Sequence, residues 1–75
     1  MRIKNLIKKE KIEMVKSRMN NYQRKYYELT LDLLAQKAID GKETYIDMTE
    51  ERLKALDESY NAMENELKSL EKEGE

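Results

Sequence analysis

Between Asp40 and Asp47 the chain gathers three carboxylates, a glycine and two hydroxyl side chains in eight residues, a cluster of the kind that can hold a calcium ion or wrap a phosphate. The spacing fits neither. With Asp40-Gly41 set at the fifth and sixth positions of a calcium loop, Gln36 and Ala38 fall where the first and third ligands belong. Gly41-Lys42 lacks the upstream glycine of a phosphate-binding loop, and Glu43 stands where that loop needs a hydroxyl after the lysine. Histidine and cysteine are absent from the sequence, so zinc sites built from them, thiolate chemistry, disulfides and an imidazole base are all excluded. Carboxylates are abundant, yet the pattern places them on solvated faces and gives none a buried setting for acid or base work. No catalytic residue, metal ligand or cofactor site is assigned, and a non-enzymatic protein is expected.

Two further groups invite a functional reading. Tyr22, Tyr26 and Tyr27 stand beside Arg24 and Lys25, either as a platform for stacking nucleic-acid bases or as part of a hydrophobic seam. The amino-terminal stretch is basic, with Arg2, Lys4, Lys8, Lys9 and Lys11 placed to meet phosphates. Residues 1–25 hold nine Lys/Arg against Glu10 and Glu13, and residues 26–75 hold six against fourteen acids, for a net charge of -1. Such asymmetry suits either a nucleic-acid arm or two segments that neutralise each other.

The heptads choose between these readings, and the composition bounds the fold. At 75 residues, 41% charged and 39% hydrophobic, with no proline and two glycines, the chain reads as one all-α domain too small to bury a large core alone. No apolar run is long enough to span a membrane or form a secretory leader, so the expected location is the cytoplasm, away from membranes.

Apolar residues then settle the tyrosines. Ile12, Val15, Met19, Tyr22, Tyr26, Leu29 and Leu33 alternate at three and four, as do Ile46, Thr49, Leu53, Leu56, Tyr60, Met63, Leu67 and Leu70. That is the a/d spacing of helices packed along a seam. The expected architecture is an antiparallel, coiled-coil-like two-helix hairpin. Its first helix covers about residues 2–39, its loop about 40–47 and its second helix about 48–72, with 1–11 a basic overhang and 73–75 a frayed tail. Gly41 suits the left-handed residue that ends a helix. Asp47 with Glu50 has capping-box spacing, and Thr49 is a rival cap.

Facing residues of a hairpin share a constant sum of positions, and pairing Val15 with Leu70 through Leu33 with Leu53 gives 85 or 86 throughout. The same register sets Lys11 against Glu73, Arg18 against Glu66, Asp32 against Arg52 and Lys16 against Glu71, all opposite in sign. A parallel dimer would bring like charges together instead.

Leu56-Asp57 resembles the close of the Ser-Gln-Glu-Leu-Asp signature of the small helical-hairpin aspartyl-phosphate phosphatases of sporulating bacteria, and Ile12-Glu13 with Lys16 and Met19 resembles their first helix. Leu53-Lys54-Ala55 stand in place of Ser-Gln-Glu, so the resemblance implies the hairpin without the activity.

A second apolar stripe, Tyr27, Leu31, Leu34 and Ala38, runs down the first helix beside the seam, and a single hairpin offers nothing to cover it. The expectation is a homodimeric four-helix bundle formed through this stripe, acting as a regulator, adaptor or assembly factor by protein contact. Another protein's helix could occupy the stripe, and nucleic-acid binding through the basic arm is the alternative function.

Overall fold

The computed structural model describes residues 6–39 and 43–72. Two α-helices, α1 (Lys8–Ala38) and α2 (Glu43–Lys72), pack against each other as a hairpin. The molecule measures 55 × 30 × 15 Å, and its radius of gyration of 17.1 Å exceeds the roughly 11 Å of a compact chain this long. It is a rod with a thin interior. Arg2, Lys4, Gly41, Glu73 and the tail 73–75 lie outside the described residues, as do the expectations attached to them.

α1 opens at Lys8, later than the expected residue 2. Lysines crowd this end of the chain, and positive charge at a helix amino terminus opposes the helix dipole. The first acid available is Glu10, whose carboxylate accepts a hydrogen bond from the Ile7 backbone N–H at 3.2 Å. Ile7 is extended (φ -74, ψ 161), and its carbonyl takes the first helical bond from Lys11 N–H at 3.0 Å. Glu10 therefore fixes the start from the third helical position.

α2 begins at Glu43, five residues before the expected 48, so neither the Asp47–Glu50 box nor Thr49 acts as a cap. Thr49 is instead a core residue, 4% exposed. Its Oγ1 lies 2.9 Å from the carbonyl of Tyr45, one turn back, and 2.9 Å from Gln36 Oε1 on α1. A hydroxyl carries one proton, so the two acceptors share it, or the Gln36 amide turns end for end and donates to Oγ1. The connection between the helices shortens to residues 39–42.

Seam positions are buried or half-buried at every site except Tyr26, which is 43% exposed. Tyr60 occupies the same region of the seam, its hydroxyl accepting a 3.2 Å hydrogen bond from Gln23 Nε2. Tyr26 and Tyr60 line one groove between the helices together with Tyr22, and Tyr26 is the more exposed of the two. Gln36 extends the three-and-four series one step past Leu33 and meets Thr49, a polar layer near the turn.

Both links are antiparallel. The pairs Gln36–Thr49 and Gln23–Tyr60 sum to 85 and 83, within three residues of the expected register. The flanking charges do not follow. Among the described residues Arg18–Glu66, Asp32–Arg52 and Lys16–Glu71 do not close to ion-pair distance, whereas Lys25 and Glu28 of α1 approach to 3.7 Å. Exposed pairs contribute about 0–1 kcal/mol, too little to hold long, solvated side chains in one geometry.

The polar layer yields a test of register. Thr49→Val removes a hydrogen bond and leaves Gln36 half-buried without it, at a cost of about 0.5–1.5 kcal/mol. Adding Gln36→Leu removes the stranded amide, so the double variant melts at or above the wild-type temperature. Thermal melts of the two single variants and the double check this, and additive losses would show that the pair is not coupled.

Candidate protein interface

The seam encloses little. Among the described residues only Leu29, Leu70 and Thr49 are buried, because two helices cover one side of each seam residue and leave the other open. Apolar surface therefore remains outside, and much of it is contiguous.

Tyr27, Leu31, Leu34 and Ala38 all belong to α1 and all are exposed, Tyr27 to 63%, Leu31 to 46% and Leu34 to 62%. Their spacing of four, three and four stacks them over three helical turns. In an antiparallel pair, positions just after the seam on one helix share a flank with positions just after the seam on the other. On α2 those are Asp47, Glu50, Lys54 and Asp57, all exposed and polar. The stripe is thus an α1 feature with a charged border.

The other flank carries Tyr45 and Met48, exposed and one position before the seam residues Ile46 and Thr49. Sequence reading passed over this pair because it assigned Tyr45 to a loop. The three-residue spacing would have placed both on one face once the helix was known to start at Glu43.

Grooves lie along the rod among the described residues. One, of about 260 Å³, is lined by Tyr22, Gln23, Tyr26, Leu56, Asp57 and Tyr60. Another, of about 300 Å³, has Leu6, Met14 and Val15 on one side and Met63 and Leu70 on the other. Leu6, which precedes α1, helps to line it. Pockets for small molecules run to about 300–1,000 Å³, so each groove is sized for a side chain or head group.

The basic residues are scattered by comparison. Lys9 and Lys11 are exposed and Lys8 is half-buried and engaged in an interaction of its own. Lys11 lies about 16 Å along α1 from Tyr22, at 1.5 Å per residue, so the structure does not bring the lysines and the tyrosine groove together. Among the described residues no group of three or more acidic side chains could hold a metal ion, and no helix is long and apolar enough to cross a membrane. No known family model, curated protein or solved structure matches the chain.

Proposed function

We propose that this chain is a non-enzymatic protein-interaction module of the cytoplasm, a small regulator, adaptor or assembly factor that self-associates through the outer stripe of α1. The observation that carries this reading is the exposure of Tyr27, Leu31 and Leu34 on adjacent turns of a hairpin whose own interior buries so little. Contiguous exposed apolar surface of this kind marks contact sites.

The stripe is also self-complementary. Laid antiparallel on a second copy, positions that sum to 65 meet: Tyr27 faces Ala38 of the copy and Leu31 faces Leu34. A large side chain then opposes a small one at each end, and four leucines, two from each copy, pack at the centre. A two-fold axis between residues 32 and 33, in the carboxy-terminal part of α1, gives a closed dimer and a four-helix bundle whose α1 helices overlap over residues 27–38. The mass in solution tests it. Light scattering at micromolar concentration gives twice the 9.0 kDa of one chain, and a single-chain mass at every concentration overturns self-association.

The alternative, a nucleic-acid regulator, draws on exposed Lys9 and Lys11 together with the basic first third of the sequence. A few phosphate contacts without a base-reading surface give affinity that falls steeply with salt. A retarded band at low salt should therefore disappear near physiological salt, and retention there would favour the alternative.

A further inference from the structure

The groove between Tyr22, Tyr26 and Tyr60 carries one charged side chain, and it is a carboxylate. Besides the three phenols it is walled by Gln23, Leu56 and Asp57, with no lysine or arginine among them. Gln23 donates one of its two amide N–H groups to the Tyr60 hydroxyl, and its carbonyl oxygen is an acceptor by chemistry. A carboxylate, phenol oxygens, an amide oxygen and aromatic rings all favour a cation. Tyr26, the one seam residue that is exposed, at 43%, belongs to the lining. The volume of about 260 Å³ suits one side chain, and the open shape leaves it accessible to an elongated partner.

We infer that this groove receives an arginine side chain from a partner protein. Arginine fits better than lysine, because its planar guanidinium can stack on a ring while its fork of donors meets several acceptors, and because it is the more weakly hydrated cation. A nucleic-acid strand would bring its phosphates toward Asp57, which opposes it. The inference names a chemistry for the partner and so rests on the protein-contact reading. Asp57 stands on the flank that borders the stripe, so self-association and the groove are told apart by their readouts, mass for the one and charge-selective ring shifts for the other.

The test uses the full chain with labelled tyrosine rings followed by NMR, titrated with a capped Gly-Arg-Gly peptide and with its citrulline counterpart, which keeps the shape and loses the charge. The arginine peptide moves the ring signals of Tyr22, Tyr26 and Tyr60 in a saturable way and leaves Tyr27 and Tyr45 in place. Asp57→Asn weakens this response about 2–5-fold, in keeping with a cation held at an open site. Circular dichroism of that variant shows an unchanged helix content.

Equal shifts with citrulline overturn the inference, as do equal shifts at Tyr27 and Tyr45. So does silence of the groove up to about 10 mM peptide, an affinity weaker than about -3 kcal/mol. Groove signals that move with oligothymidylate and not with arginine would assign it to nucleic acid. A dimer by mass with no arginine-selective shift rejects the groove and leaves self-association standing.

Discussion

Lysine at both Leu31 and Leu34 converts the assembly to single 9.0 kDa chains and removes most of its helicity at micromolar concentration. In the proposed dimer these two leucines of each copy meet across the two-fold axis. Full burial of an exposed leucine contributes about 1.5–3 kcal/mol; Leu31 and Leu34 are 46% and 62% exposed in the hairpin, so covering the four contributes roughly 3–6 kcal/mol to association. A micromolar dimer is held by about 8 kcal/mol in total, so their removal takes away a large part of it. Four ammonium groups brought together at the centre add repulsion and a desolvation penalty.

The loss of helicity follows from the thinness of what remains. One hairpin buries only Leu29, Leu70 and Thr49 among its described residues, and a pair of helices with so small an enclosed core is marginal in water. Mass by light scattering and far-UV circular dichroism read the two consequences separately. Asn61→Lys is the control, because Asn61 is exposed on α2 and off the stripe, and it leaves mass and melt unchanged. An unchanged mass in the double-lysine variant would remove the stripe from the interface. An unchanged melt in a monomeric variant would show that the hairpin stands alone.

What the sequence disclosed and what it hid have the same source. Leu29, Leu53, Leu67 and Leu70 announce a seam by spacing alone, since a three-and-four alternation admits one helix face. Thr49 carried two signals that disagreed, a seam position and a capping residue near Glu50. The seam won, because its hydroxyl can be satisfied inside the helix by the Tyr45 carbonyl and across the pair by Gln36. Gln36 was passed over as polar although it stands on the same alternation. Tyr26 obeyed the spacing and is still exposed, because spacing assigns a face and says nothing of how much of a large ring two helices alone can cover. The flanking charges failed for a different reason. Opposite sign across a register is a weak constraint when the side chains are long and wet. The stripe at Tyr27, Leu31 and Leu34 was legible as a periodic pattern, and its exposure follows from there being no third helix to cover it.

Alanine substitutions at Leu29 and Leu34 separate the interior of one hairpin from the surface between two. Leu29 is 6% exposed, and its truncation leaves a cavity between α1 and α2 that costs about 2–5 kcal/mol. A 75-residue protein has roughly 4–11 kcal/mol of stability to lose. Leu29→Ala therefore lowers the melting midpoint by at least about 10 °C at any protein concentration, because the cavity lies within each chain. Leu34 is 62% exposed in the hairpin, where truncation of a surface leucine changes stability by less than about 0.5 kcal/mol. If a second copy covers it, the cost of Leu34→Ala is felt through association, so its melt falls furthest behind wild type at low concentration and recovers as concentration rises. Thermal melts over a hundredfold range of concentration distinguish the two patterns. Concentration-independent losses at both positions would place Leu34 inside the chain's own core and remove the need for a partner. No loss at Leu34 under any condition would leave the stripe without an occupant.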